Sequence, residues 1–354
     1  RSDALLLFRP RLDWQQWRWG LQILGQCNDA AFECNVQQIV ALGAYSHAAL
    51  KDVVRTTGIE YHRLERGIAH YFTDPKSLDG AATAAALMRK FGVERRVVDT
   101  AELLRIEPAF KPFASRIVGA TYTASDESGD ARVFTQALAR HCVARGAQFL
   151  YGHDVEHLVK SGDAIESIAV RPCGAGAAAS ISINLKADAV VAACGSYTAP
   201  LLRSVGVDLP IYPGKGYSAT FQILQPQHAP TVSTIDDEVK CAFTRLGDQL
   251  RVAGTIELGG YDLSLDTPLA RARCRMLAER VRAVLPGVCD TRSASEGGAP
   301  HFWAGLRPAT PTNIPYIGKT RVRKLWVNAG HGTLGWTHGA GSGKALAELI
   351  SGEQ

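Results

Sequence analysis

Leu325-Trp326-Val327-Asn328-Ala329-Gly330-His331-Gly332-Thr333-Leu334-Gly335-Trp336-Thr337 decides the reading of this chain. An apolar strand runs into a glycine-rich turn, and the turn into a small-residue helix. Backbone amides at the start of such a helix, Gly332 to Gly335, are expected to be unpaired and to lie along a dipole that favours anionic or carbonyl oxygen. The missing side chains let a flat ring approach closely. The stretch reads as a cofactor cradle. Just upstream, His301-Phe302-Trp303-Ala304-Gly305-Leu306-Arg307-Pro308 carries an arginine expected to be aimed from a rigid turn at a carboxylate, a planar fork-to-fork match that lysine cannot make. One end of the chain therefore offers both a cofactor wall and an acid anchor.

With 354 residues, the chain is long enough for two domains with substantial cores. Its 46% hydrophobic and 21% charged residues fit a globular protein, and a net charge of +5 on scattered Lys and Arg gives no nucleic-acid footprint. The cysteines at 27, 34, 142, 173, 194, 241, 274 and 289 include no C-x-x-C pair, which points to a reducing, cytoplasmic setting rather than a disulfide framework. No apolar run reaches the roughly 20 residues that span a bilayer, so any membrane contact is expected to be peripheral. The histidines show no metal-ligand spacing, and no metal site is expected.

Along the chain, residues 14–24 form a helical segment whose tryptophans are expected to pack into the core, followed by a longer helical pattern over 29–57. Residues 67–73 read as a strand, 75–91 as an alanine-rich helix, Asp99 as a helix start and 117–123 as a strand. Asp130 caps an amphipathic helix over 131–145. Four strands at 155–160, 164–171, 181–185 and 187–193 form a meander that ends in a buried strand, with a flexible hairpin loop at 174–180. Ala189-Val190-Val191-Ala192-Ala193-Cys194-Gly195-Ser196 ends that strand in small residues before a helix, where open α/β sheets place their ligand crevice. A second β-rich stretch covers 211–256, with a hairpin at Gly247-Asp248. A helix over 271–285 then stops at Pro286-Gly287. The order implies an α/β cofactor domain combined with an α+β substrate domain, the chain crossing between them more than once.

Four stretches carry a family resemblance: Asp126-Glu127-Ser128-Gly129-Asp130 with residues 134–140, Tyr212-Pro213-Gly214-Lys215-Gly216-Tyr217-Ser218, residues 302–311, and residues 330–337. In their sequence, order and spacing the chain resembles the D-amino acid dehydrogenases, FAD-dependent bacterial enzymes of the wider D-amino acid oxidase and glycine oxidase superfamily. The resemblance implies a Rossmann-like FAD/NAD(P)-binding domain and an antiparallel-sheet substrate domain. The expected division assigns 1–40, 123–205 and 306–354 to the FAD domain, and 41–122 and 206–305 to the substrate domain. It also implies oxidation of a D-amino acid to a 2-oxo acid and ammonia, with electrons passed to a quinone or respiratory-chain acceptor and peripheral contact with the inner face of the bacterial inner membrane. Arg307 matches the arginine that grips the substrate carboxylate. Gly330, His331, Gly332, Thr333, Leu334 and Gly335 match the segment lying against the flavin, and Cys194 and Gly195 the second approach to the dinucleotide. Thr333 is also a candidate cap for the final helix.

Tyr217 is either a residue that places its hydroxyl over the substrate or a strand tyrosine, and Lys215, between two glycines, either approaches the flavin and substrate or is an exposed turn lysine. Family members open with a strand, a G-x-G-x-x-G turn and a helix. That N-terminal βαβ unit is missing from these 354 residues, which start at Arg1 rather than Met and read as if they begin in mid-protein, with an exposed, aggregation-prone sheet edge expected as a result. The alternatives are a truncated, non-catalytic relative and a glycine-, sarcosine- or proline-type amine oxidoreductase. Gly339-Ala340-Gly341-Ser342-Gly343-Lys344 resembles a phosphate loop but lacks the required Gly at His338 and Ser or Thr at Ala345, so tight packing of a small-residue helix beneath the sheet is expected there.

Overall fold

The computed structural model describes residues 6–174 and 181–352, so the loop expected at 174–180 lies almost wholly outside the described residues. The described residues form two compact units, one of residues 6–9, 60–135 and 214–305, the other of 10–59, 136–174, 181–213 and 306–352.

The first unit is built on a nine-stranded mixed sheet. Its order is His301–Ala309, Tyr212–Gln222, Gln249–Leu258, Cys241–Leu246, Ser233–Asp236, Ile68–Phe72, Gly119–Thr123 and Arg95–Val98, with Leu6–Phe8 added parallel to Gln249–Leu258. Alternation along the strands gives the sheet one apolar and one polar face. Tyr71, Tyr217, Ala219, Phe221, Phe243 and Val252 are buried in a core shared with Leu277 and Val281 of the helix Pro268–Val284. The other face carries a cross-strand row of Arg95, Thr123, Ile68, Ser233, Thr244, Arg251 and Thr220, in which the Ser233 and Thr244 hydroxyls meet at 2.8 Å. One face therefore holds the unit together and the other carries most of the polar side chains.

The second unit contains the strands Tyr316–Lys319, Leu325–Ala329 and Val190–Ala192, and an antiparallel sheet of His153–Ser161, Ala164–Pro172 and Ile183–Leu185. Leu325, Trp326 and Val327 pair in parallel with Val190, Val191 and Ala192. The buried strand expected at 187–193 is shorter and sits at a sheet edge, with Val191 facing outward. Helix Asp29–Thr57 starts at Asn28, whose side chain accepts from the Ala31 amide, and ends at Gly58 in a left-handed conformation. The final helix, Gly335–Ser351, crosses it closely. A Cβ at Gly341 would lie 2.6 Å from Cα of Ser46, and the Gly341 amide donates to the Ser46 hydroxyl at 2.9 Å. Of the small residues of 339–344, Gly341 thus serves a helix-to-helix contact, a more specific role than packing beneath a sheet.

One further expectation is corrected. Helix Trp14–Gln26 buries Gln16 and Trp19, while Trp14, Trp17, Leu21 and Leu24 form an exposed stripe, so of the three tryptophans only Trp19 is a core residue. Its indole N–H donates to the Ala309 carbonyl at 2.8 Å. The compact units divide at 59/60 and 135/136, where 40/41 and 122/123 were expected, and the uninterrupted helix Asp29–Thr57 spans the first of the expected boundaries. Among the described residues no helix is long and apolar enough to cross a membrane.

Candidate cofactor and substrate site

Because Val190–Ala192 and Leu325–Ala329 run parallel, both chains leave the sheet at the same end, the place where open α/β sheets hold ligands. Ala193 and Gly195 follow the first strand; Gly330, His331 and Gly332 follow the second. Gly330 has φ +91° and a Cβ there would meet Thr310 Cγ2 at 2.6 Å, so both conformation and space demand glycine. Between these turns and the final helix lies a cavity of about 280 Å³, lined among others by Gly195, Asn328, His331, Gly335, Gly339 and Ser342. Enclosing a whole drug-sized ligand takes roughly 300–1,000 Å³. The cavity thus suits one portion of an extended ligand.

Of the residues expected to hold a cofactor, Gly195, His331, Gly332 and Gly335 line this cavity, whereas Cys194, Gly330, Thr333 and Leu334 do not. The amides are less available than the sequence implies. Gly332 N donates to the Pro308 carbonyl and Leu334 N to the His331 carbonyl, both at 2.9 Å, closing the turn on itself. Thr333 does not cap the final helix: the cap position is Leu334, with no side-chain bond. That uncapped end leaves the Gly335 amide open toward the cavity. Asn328, Gly339 and Ser342 were missed from the sequence. The spacing of Gly335, Gly339 and Ser342 places all three on one helical face, a signal present in the sequence but read as packing.

His331 is held by the helix it precedes. Its Nε2 lies 3.0 Å from the Ser342 hydroxyl, which itself donates to the Gly339 carbonyl at 3.1 Å. With that hydroxyl proton committed, Nε2 is the donor and Nδ1 keeps its lone pair. Burial, with the nearby His338 second, lowers the imidazole to about 4 from an ordinary 6.5, so the ring is neutral at neutral pH. In the first unit, burial lowers His70 to about 3, with Arg95 and Lys240 adding to the effect. Both groups bind protons more readily unfolded than folded, so stability is present above pH 6.5 and is lost as pH falls from about 6.5 to about 4. Melting temperatures of the His331→Gln and His70→Asn variants are each expected to vary less over that window than those of the parent protein.

Arg307 lies within the strand His301–Ala309, not in a turn. Its neighbours are pinned to the cavity wall. The Leu306 carbonyl accepts from the Ser196 hydroxyl at 3.3 Å, and the Pro308 carbonyl accepts from Gly332 N. The backbone of this half-buried arginine is thereby fixed beside the cavity.

Lys215 and Tyr217 lie in a buried hydrogen-bonded cluster. Both are buried on the strand Tyr212–Gln222, and Tyr217 faces the helical core. The Tyr217 hydroxyl donates to Glu257 at 2.5 Å, and Arg9 donates to the other oxygen of that carboxylate at 2.8 Å. Lys215 Nζ donates to the Ser264 carbonyl at 2.6 Å and sits over the Tyr217 ring. Burial first, and Glu257 second, push the phenol well above its ordinary range. A protonated phenol satisfying a buried carboxylate is a structural arrangement. Tyr217→Phe is expected to cost about 1–3 kcal/mol, the penalty for stranding a buried partner, read as a fall in melting temperature with kcat unchanged.

A dinucleotide cofactor can be tested against this geometry. An ideal Cβ on Gly195 or on Gly339 meets no atom within 4 Å, so both glycines border open space. Asn328 lines the cavity and its Oδ1 is buried without a hydrogen-bond partner. Parallel strand ends, an uncapped helix start and an unengaged amide together fit a polar, extended ligand with donor and acceptor groups. The DAO family profile, FAD dependent oxidoreductase, matches residues 8–349.

The chain belongs to this family. FAD is its cofactor. The D-amino acid dehydrogenase of Dechloromonas aromatica (strain RCB) is 47% identical over 354 residues, covering 100% of this chain and 81% of the relative. That of Granulibacter bethesdensis is 42% identical, covering 100% and 79%. Among solved structures, glycine oxidase from Geobacillus kaustophilus superposes with a TM-score of 0.73 at 23% identity, covering 90% of this chain and 80% of the other. L-Proline dehydrogenase from P. horikoshii gives 0.72 at 18%, covering 88% and 79%. At these identities the two structures speak to the fold alone, which is the mixed α/β architecture with antiparallel sheets expected from the sequence.

Proposed function

We propose that the chain oxidises D-amino acids to 2-oxo acids and ammonia and passes the electrons to a quinone or another respiratory-chain acceptor at the inner face of the bacterial membrane. The observation that carries the reading is the strand bearing Arg307, whose flanking carbonyls are bonded to Ser196 and to Gly332 of the cofactor cavity. The 47% and 42% identities to D-amino acid dehydrogenases over the whole chain support the same substrate class. Bound FAD supplies the acceptor for the hydride that leaves the substrate Cα.

The chain's own residues bind and orient. Arg307 takes the substrate carboxylate in a bidentate grip that fixes which Cα–H is presented. Gly195, Gly332, Gly335 and Gly339 give the ring system its room, and Asn328 and the Gly335 amide supply polar contacts to it. His331, neutral and tied to Ser342, presents a lone pair to the cavity without adding a charge. The imine product is hydrolysed by water to the 2-oxo acid. No protein base is required, because a substrate amine in its neutral form drives hydride loss by itself.

Turnover of the FAD-loaded protein with a water-soluble quinone as acceptor tests the reading against a panel of D-alanine, L-alanine, glycine, sarcosine and proline. The expected result is turnover with D-alanine and little with L-alanine. Turnover confined to sarcosine or proline would overturn it.

A further inference from the structure

Helix Trp14–Gln26 is apolar on two sides. Gln16 and Trp19 enter the fold, while Trp14, Trp17, Leu21 and Leu24 recur at helical spacing as one stripe that faces outward. Leu21 and Leu24 are 64% and 68% exposed, and Leu12, just ahead of the helix, is fully exposed. A surface helix ordinarily buries one apolar side and turns charge to water. A second apolar stripe, contiguous and open, marks a contact surface.

The backbone of this helix is sealed at both ends. In the first turn the Gln15 amide donates to the Asp13 carboxylate at 3.0 Å, and the amides of Gln16 and Trp17 donate to the Asp13 carbonyl at 3.1 and 3.4 Å. A helix leaves its last four carbonyls unpaired. Here the Ile23 carbonyl accepts from Cys27 Sγ at 3.3 Å, Leu24 from the Cys27 amide at 3.2 Å, Gly25 from Asn28 Nδ2 at 3.1 Å and Gln26 from the Asn28 amide at 2.9 Å. On the stripe itself the Trp17 indole N–H donates to the Arg11 carbonyl at 2.9 Å, and the Arg11 amide to Gln16 Oε1 at 2.8 Å. Water would satisfy such groups on an exposed helix; hydrocarbon would not. Internal satisfaction therefore fits the helix for an apolar medium.

The charges beside the stripe select the occupant. Arg11 is exposed next to Leu12, and Arg18 pairs with Asp208, which also has Arg203 at 4.0 Å. Arg321 donates to the carbonyl of Gly206, two residues before Asp208. These four arginines are set against Asp208 and the capping Asp13, an excess of positive charge along this edge. Asp29 and Glu33 lie beyond the other end, in the first turns of the next helix. A two-fold pairing with a second copy would bring the arginines against themselves, whereas anionic lipid headgroups neutralise them. Trp14, at the Arg11 end, is of the residue type that settles between headgroups and hydrocarbon.

We propose that Leu12, Trp14, Trp17, Leu21 and Leu24 form a lipid-docking surface, lying in the interface of an anionic bilayer with Arg11 and Arg18 among the headgroups. The inference deepens the functional reading given above, from which the membrane-bound acceptor comes.

The test floats the FAD-loaded protein with vesicles of phosphatidylcholine alone or mixed with phosphatidylglycerol. The parent protein binds the mixed vesicles more tightly, its tryptophan emission shifts to the blue on binding, and brominated lipid quenches it. Leu21→Glu with Leu24→Glu weakens vesicle binding by about a hundredfold, as expected for two leucines kept out of the interface. Arg11→Gln lowers the preference for the anionic vesicles by about fivefold. Turnover of D-alanine with a water-soluble quinone is unchanged in both. Leu21→Gln with Leu24→Gln carries the comparison if the glutamate variant unfolds. Failure of the parent to bind either vesicle, or equal binding by parent and leucine variants, overturns the proposal. So does a parent dimer that the leucine variants dissociate without a change in vesicle binding, since the stripe is then covered by a second copy. If no D-amino acid turns over with the soluble quinone, the functional reading is wrong whatever the vesicles show; if D-alanine turns over and the leucine variants bind vesicles like the parent, only the docking surface is wrong.

Discussion

Gly339→Leu is expected to weaken flavin binding by roughly tenfold to a hundredfold while leaving the melting temperature unchanged or higher. Gly339 is inside the final helix, where replacing glycine by leucine gains about 0.5–1 kcal/mol of helix propensity. A Cβ at this position meets no atom within 4 Å, so the first atom of the new side chain costs nothing in the absence of a ligand. The rest of the side chain enters the 280 Å³ cavity and takes the space of the cofactor. Overpacking of about 1–3 kcal/mol against a bound ligand weakens FAD by roughly tenfold to a hundredfold, and by more if the ring cannot shift. Gly343→Ala is the internal control. It is on the same helix, has open space at its Cβ, and does not line the cavity, so it is expected to stabilise the fold and keep the flavin. Thermal melts with and without FAD, together with flavin fluorescence titration, measure both effects. An unchanged FAD affinity in Gly339→Leu would show that this cavity is not part of the cofactor site.

Arg307→Met is expected to lower kcat/KM for D-alanine by about 2–5 kcal/mol, between thirtyfold and several thousandfold, with FAD content unaffected. The substitution keeps the length and apolar stem of the side chain and removes only the fork. The bonds that tie this strand to the cavity use the carbonyls of Leu306 and Pro308, so the backbone stays in place. Arg307→Lys retains charge without bidentate geometry and falls between the two. Steady-state kinetics with a soluble quinone gives the answer, and a normal kcat/KM in the methionine variant would remove Arg307 from the substrate site.

Much of the fold is legible in the chain because its signals are local. Asn28 and Gly58 bracket the helix Asp29–Thr57, Asp130 starts the helix Ala131–Val143, and Gly247 marks the hairpin between Cys241–Leu246 and Gln249–Leu258. The cofactor turn is legible for the same reason, since Gly330 is required by its own φ and by a contact with Thr310. Failures occur where the deciding partner is distant in sequence. Nothing near Tyr217 announces Glu257, 40 positions away, and along Tyr212–Gln222 nearly every residue is buried, so alternation does not show which face is free. The same holds for Trp14 and Trp17: helical periodicity groups them with Leu21 and Leu24 but does not say whether the stripe faces inward, and here it faces out. Pro308 after Arg307 imitates a turn signal although the strand continues through it. The sequence presents the amides of Gly332 and Leu334 as free, because the acceptors that engage them, Pro308 and His331, become neighbours only once the turn has closed.

The most direct test of the central claim is the visible absorption spectrum of the protein during titration with FAD, followed by addition of D-alanine in the absence of oxygen. The assignment predicts a saturable bound-flavin spectrum that bleaches with D-alanine and not with L-alanine. Saturable binding with no bleaching by any D-amino acid would contradict the substrate class, and the absence of any bound-flavin spectrum would contradict the cofactor site.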